Sequence, residues 1–251
     1  MHPEFIQIGS RTIYWYGVLM AAAFLAGMVH WRLLGRREGR DAAFCTDLAF
    51  WIMIAGILGA RVSYVAANWG HYAQHLMEIP RIDKGGVIYY GGFMGAVIAV
   101  VVIARLRREQ PLALGDFVIT ALPLGHALGR IGCFLNGCCY GVPGNGSWCV
   151  ALPAVDGIPR QPVQLYEAAF NLTLYVVLTL AYRARRPSGS VVALYLLTYP
   201  MGRFLLEFLR GDERLHWIGL THAQVISVAA FVIGLCLWTR VRSSHVLAHR
   251  R

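Results

Sequence analysis

Long apolar runs alternate with short connections rich in arginine, and each run approaches the ~20 residues that an α-helix needs to cross a bilayer. The first covers roughly 13–31 and opens with Tyr14, Trp15, Tyr16 and Gly17, rings of the kind that sit at a membrane interface. The second covers about 44–67. The third starts near Gly85, carries Tyr89, Tyr90, Gly91 and Gly92 at its beginning, and closes at Arg105. The fourth runs from about Asp116 into a glycine-rich segment, 125–141. The fifth begins at 161–167 and ends at Arg183, the sixth covers 191–209 and the seventh 223–238. Between the second and third, 68–86 mixes polar, proline and aromatic residues and predicts a loop or a short surface helix. A loop with Pro143, Gly144, Asn145, Gly146 and Pro153 follows the fourth. About seven spans fill the chain and leave no room for a separate soluble domain. Residues 1–251 therefore read as a single integral membrane domain, all-α and polytopic.

Composition agrees: 57% of the 251 residues are hydrophobic and 14% charged, against roughly 25% charged in a soluble domain. The net charge of +10 is no footprint for nucleic acid, because the arginines sit at the ends of apolar runs, where they signal topology. Arg32, Arg36, Arg37, Arg40, Arg105, Arg107, Arg108, Arg183, Arg185, Arg186, Arg240, Arg242, Arg250 and Arg251 fall on one side. Arg11, Arg81, Lys84, Arg160, Arg210 and Arg214 fall on the other. The positive-inside rule then puts the N-terminus outside and the C-terminus in the cytoplasm, which an odd number of spans satisfies. The first apolar run lacks a small-residue cleavage pattern and reads as a permanent helix. No internal repeat supports an inverted-repeat transporter.

Charges inside the spans are the candidates for function. An arginine near the bilayer centre costs ~2.5–3.5 kcal/mol on insertion scales and calls for a partner or an anionic ligand. Arg130 lies in the segment GHALGRIGCFLNGCCYG, with His126 one turn before it and Gly125, Gly129 and Gly132 opening room for a close approach. Arg61 sits beside Gly56, Gly59 and Ala60 and calls for a counter-charge. Tyr199, Arg203 and Glu207 are spaced by four and share a helical face, and Glu167 lies about a turn inside the fifth span. Three arginines against Glu167 and Glu207 leave a positive surplus at head-group depth. Guanidinium forks match phosphate oxygens, so a phospholipid is the natural ligand. The site could also stabilise a departing phosphate.

GRIGCFLNGCCYG resembles the signature of the bacterial prolipoprotein diacylglyceryl transferases. YWYG, GARVSYV, YYGG, QLYEA and YPMGRFLLEFLR occur in that family's order over nearly the whole chain. The resemblance implies transfer of a diacylglyceryl group from phosphatidylglycerol to the lipobox cysteine of prolipoproteins, with release of glycerol phosphate. It implies a multi-pass protein of the bacterial cytoplasmic (inner) membrane and no cofactor. Arg130 and Arg203 match the two arginines expected to hold the phosphate. Tyr16, Arg61, Asn136, Gly141, Tyr199 and Glu207 match substrate-binding positions, and Glu207 is expected to orient Arg203.

Two departures from the family pattern bear on the chemistry. Tyr90 stands where the family has a histidine before Gly91 and Gly92, and a phenol with a pKa near ~10 is a poor base. Cys133 and Cys138 replace an asparagine and a glutamate. His126 becomes the candidate for a relocated base, with a core histidine satisfied by a carbonyl as the other reading and Tyr90 as an alternative hydrogen-bond donor. A different acceptor on the same fold, or an anionic-lipid-binding or anion-conducting protein without enzyme activity, are the competing readings. Cys133, Cys138, Cys139 and Cys149 cluster in sequence. They lack the paired C-x-x-C spacing of a four-thiolate zinc site, so no metal is expected, and a disulfide from Cys149 to Cys138 or Cys139 fits an oxidising compartment.

Overall fold

The computed structural model describes residues 3–249 except 10, 83–84, 152–155, 215 and 218, so Lys84, Pro153, Arg250 and Arg251 lie outside the described residues. An antiparallel hairpin, β1 (Glu4–Ile8) with β2 (Arg11–Tyr14), leads into α1 (Trp15–Arg36). Then come α2 (Ala42–Ala67), a single turn α3 (Trp69–Tyr72), a 3₁₀ turn at Leu76–Glu78, and α4 (Tyr89–Leu106). Two consecutive helices follow, α5 (Pro111–Ile119) and α6 (Leu122–Leu135), and two-residue strands β3 (Val150–Ala151) and β4 (Pro159–Arg160) pair after them. The rest is α7 (Val163–Arg183), α8 (Ser190–Glu207), the pair β5 (His216–Trp217) and β6 (Leu220–Thr221), and α9 (His222–His249).

Among the described residues six segments are long and apolar enough to cross a membrane: α1, α2, α4, α5 with α6, α7, and His222–Ser243 of α9. The protein is an all-α polytopic membrane protein. The remaining long helix, α8, has 18 residues, about 27 Å at 1.5 Å per residue, but Arg203, Glu207 and Pro200 dilute its apolar character. Two features were not expected from the apolar runs. The hairpin before α1 is one. The other is the break in the fourth span, where the Thr120 hydroxyl donates to Phe117 O at 2.7 Å and Pro123, near the start of α6, lacks the N–H needed to continue the ladder.

The chain divides into two compact units, residues 1–30 with 116–251, and residues 31–115. In the first, α7 packs against both α6 and α8, and α8 against α9. A Cβ at Gly202 would collide with the Phe170 ring, and one at Gly234 would press on the Leu196 carbonyl. That carbonyl is the one Pro200 cannot bond, so α9 closes over the weakest point of the α8 ladder. Asp116 accepts from the N–H groups of Gly189 (2.6 Å), Val191 (3.0 Å) and Val192 (2.8 Å). A buried carboxylate from α5 thereby satisfies the orphan donors at the start of α8. His30 joins Tyr175 OH at 2.9 Å and Thr120 Oγ1 at 2.8 Å, tying α1 to α7.

In the second unit, α2 and α4 meet backbone to backbone. A Cβ on Gly59 would stand 2.4 Å from Gly91 O, and one on Gly95 would stand 2.2 Å from Ala55 O. Small residues permit this approach, as between helices in lipid generally.

Candidate functional site

One face of α7 buries Gln164, Glu167 and Asn171, three polar residues at helical spacing in an apolar span. Glu167 is the hub. Its Oε2 pairs with Arg130 Nε of α6, and its Oε1 accepts from Arg203 Nη1 of α8 at 3.1 Å. Arg210 Nη1 stands 3.7 Å from the same Oε1. Arg203 Nη1 also meets Glu207, one turn along α8. Arg214 reaches Glu207 at 3.8 Å and Asp212 at 3.1 Å, and Asp212 holds Arg210 Nε at 2.8 Å. The result is a closed ring of three arginines and three carboxylates with Arg130 attached to it at Glu167, four cations against three anions and so one positive charge in excess. Removing one partner from such a buried pair costs ~3–5 kcal/mol, because the other charge is left uncompensated.

Exposure within the ring is uneven. The Glu167 and Glu207 side chains are 3% and 1% accessible, while Arg130 keeps 25% and Arg203 12%. Among the described residues, neither Nη of Arg130 nor Nη2 of Arg203 makes a hydrogen bond within the protein. The carboxylates fix the two guanidinium groups and leave donors over. Planar forks held in this way suit the oxygens of one phosphate.

Several expected residues collect around this ring. A Cβ on Gly132 would lie 3.2 Å from the Tyr16 ring, and one on Gly129 would lie 3.7 Å from Met20. What those two glycines admit is therefore α1, and it brings Tyr16 beside Arg130 and the cysteines. Gly125 faces open space. The His126 ring packs on Tyr199 with centroids 5.2 Å apart, and Tyr199 stacks on Tyr195 at 5.1 Å. Asn136 caps α6. At Gly141 the reason for glycine is packing: a Cβ would stand 2.4 Å from Gln161 O. Three segments cross there, through Gly141 N to Gln161 O (3.1 Å), Val142 N to Leu209 O (2.9 Å) and Gly211 N to Tyr140 O (3.0 Å).

All six cysteines are free, so the disulfide expected from Cys149 to Cys138 or Cys139 is not formed. The Cys149 sulfur fills the space above Gly144. Instead the sulfurs of Cys133, Cys138 and Cys139 lie within 4.8 Å of one another. Hydrogen bonds from the Cys133 and Cys138 sulfurs, aided by Arg210 and Arg130, pull the Cys139 thiol below the ordinary cysteine range.

Arg61 and Tyr90 belong to the second unit. Arg61 donates to Ile79 O and Glu78 O at 2.7 Å each, and to Gly85 O and Gly86 O at 3.0 Å each. It also lies over the Tyr64 and Tyr72 rings. Carbonyl oxygens and aromatic faces thus supply what was expected of a counter-charge. Tyr90 is 47% exposed at the start of α4, edge-on to Tyr89.

Sequence reasoning noted Glu167 as a charge but not as the hub, and it assigned Arg210 and Arg214 to topology. Spacing could not show this, because the helix ends at Glu207 and Arg210 and Arg214 reach the site from the irregular chain beyond it, Arg210 bridged to Gly141. Gln164 was also missed. It is 1% exposed and donates to Cys138 O at 2.8 Å.

The family model described as prolipoprotein diacylglyceryl transferase matches residues 3–240. A phosphatidylglycerol–prolipoprotein diacylglyceryl transferase of Cupriavidus metallidurans is 35% identical over 268 residues, covering 100% of this chain and 99% of that protein. Proteins of the same name from Trichormus variabilis and Thermosynechococcus vestitus are 34% and 33% identical. They cover 96% and 91% of this chain, and 90% and 88% of their own lengths. With its signature arginines braced on one buried glutamate and the match running almost end to end, the chain belongs to the prolipoprotein diacylglyceryl transferase family.

Proposed function

We propose that this protein transfers a diacylglyceryl group from phosphatidylglycerol to the lipobox cysteine of prolipoproteins and releases glycerol phosphate. The observation that carries this reading is the pair Arg130 and Arg203, fixed by Glu167 with donors left over. Those donors hold the phosphate of the donor lipid. As the acceptor sulfur attacks the glyceryl carbon, the carbon–oxygen bond to phosphate breaks and charge gathers on the leaving group. Fixed guanidinium groups in a water-poor site stabilise that charge without reorganising. Glu167 and Glu207 are positioning residues. Tyr16, Asn136 and Tyr199 surround the lipid head group, while Arg61 orders the loop before α4 and Gly141 packs the crossing of strands behind the ring. The N-terminus and the loop 137–162 face the outside, where prolipoproteins are presented.

A second reading keeps the fold and donor lipid but changes the acceptor, and is favoured by Tyr90, Cys133 and Cys138 at positions where the family pattern differs. Purified protein given labelled phosphatidylglycerol and a lipobox peptide tests both. Peptide lipidation with matching glycerol phosphate release supports the first, and release without peptide lipidation favours the second. Comparing His126→Ala, Tyr90→Phe and Tyr90→His across pH locates the base. An unchanged profile in His126→Ala removes His126 from that role.

A further inference from the structure

The three clustered cysteines are brought together by the way α6 ends. Gly137 takes a left-handed conformation (φ 73°), its N–H bonds Phe134 O at 3.2 Å, and the Cys138 N–H bonds Cys133 O at 3.1 Å. This is the Schellman arrangement, in which the residue after the left-handed glycine is laid against the third residue from the helix end. Those two residues are Cys138 and Cys133, so the C-x4-C spacing is the register of the motif. Cys139 then adopts φ 65°, a left-handed conformation uncommon for a residue with a side chain. That turn gathers the third sulfur to the first two. Gln164 holds the Cys138 carbonyl at 2.8 Å, which fixes the loop from the α7 side.

Three mutually close sulfurs exceed what one disulfide can use. They suit a thiophilic cation, for which Zn–S bonds of ~2.3 Å set sulfurs ~3.8 Å apart around a tetrahedron. The geometry points to a zinc-class divalent cation bound by Cys133, Cys138 and Cys139, with the fourth coordination position open to the sulfur of the acceptor cysteine. A divalent ion with three thiolates carries one negative charge, matching the single positive excess of the neighbouring arginine ring. Cys133 lies one turn from Arg130 on α6, and all three cysteines are part-exposed, so the open position is within reach of a substrate.

The assigned role rests on the transferase reading above. The acceptor thiol coordinates as thiolate and gives its proton to water, as metal-bound thiols do. Its sulfur then forms the carbon–sulfur bond to the diacylglyceryl group. The carbon–oxygen bond breaks, and its electron pair leaves on glycerol phosphate held by Arg130 and Arg203. The metal keeps its oxidation state. This supplies thiol activation in a chain that has Tyr90 in place of the family's histidine.

The test uses the full chain, purified in reductant and titrated with Zn²⁺ and, separately, Co²⁺. One equivalent of zinc is expected. Cys133→Ser, Cys138→Ser and Cys139→Ser should each weaken it about tenfold or more, while Cys149→Ser and Cys236→Ser leave it unchanged. Cys139→His, which restores a ligand, should retain zinc and alter the cobalt spectrum even if a serine variant folds poorly. The sulfur-to-cobalt band should shift on adding a lipobox peptide and not its serine counterpart. Zinc binding that survives all three serine changes, or a disulfide-linked cluster that takes up no zinc after reduction, would overturn the site. Metal-stripped protein that still lipidates peptide at full rate overturns the role and leaves the transferase standing. One bound zinc with the cobalt shift but no lipidation keeps the metal site and sinks the transferase reading.

Discussion

Arg61 and Arg130 are both arginines set in apolar helices, and they end in opposite circumstances. Arg61, in the second unit, is 6% exposed and donates to four carbonyl oxygens. Arg130, in the first unit, is held through Nε by a single carboxylate and keeps a quarter of its side chain accessible. Cost of burial alone therefore does not separate an arginine spent on its own fold from one with donors to spare. The distinction is what the fork has left over once its protein partners are counted. Carbonyl oxygens consume donors; a carboxylate at Nε fixes the plane of the group and leaves the Nη atoms for a ligand.

The largest losses of turnover are expected at the ring. Arg130→Ala and Arg203→Ala should each lower turnover by ~10²–10³, the loss typical of removing one preorganised charge-stabilising donor. Glycerol phosphate release measures it. Lysine at either position should rescue poorly, since it offers a point charge in place of a fork. Near-normal activity in either alanine variant would place that residue with Arg61.

Glu167→Gln should act next, through position. The amide still accepts hydrogen bonds but no longer holds two cations, so turnover should fall by roughly tenfold to a hundredfold, with smaller loss in phosphatidylglycerol binding. An unchanged rate would mean that the arginines are oriented by Glu207 and the backbone alone.

Arg61→Ala should act on stability and spare turnover. Thermal unfolding should show a stability loss on the order of 3 kcal/mol, as buried carbonyls lose charged donors. Limited proteolysis should find the segment 73–88 more open, and turnover per folded molecule should stay within about twofold. A hundredfold loss of turnover with unchanged stability would assign Arg61 to the substrate.

The helices were legible because membrane spans leave long apolar runs, and predicted ends fell within a few residues for α2, α7 and α8. The break between α5 and α6 was hidden, because Thr120 and Pro123 read as ordinary members of an apolar run until the hydroxyl is seen bonding Phe117 O. The strands before α1 were hidden because segments of five and four residues carry too short an alternation to stand out beside a long apolar run. Within the site, Arg203 and Glu207 were found by spacing on one helix. The hub was not, since Arg130, Glu167 and Arg203 come from three helices, and sequence spacing carries no information on which faces meet. The cysteine cluster had a local signal in Gly137, the residue that fixes how Cys138 returns to Cys133.

If Glu167 couples them, Arg130 and Arg203 hold one phosphate as a unit. The most direct measurement is the rate of glycerol phosphate release from phosphatidylglycerol, with a lipobox peptide as acceptor, by Arg130→Ala, Arg203→Ala and the double variant. Residues acting as a unit are non-additive, so the double variant should lose little beyond either single one. Losses that multiply would show two independent contacts and contradict the account.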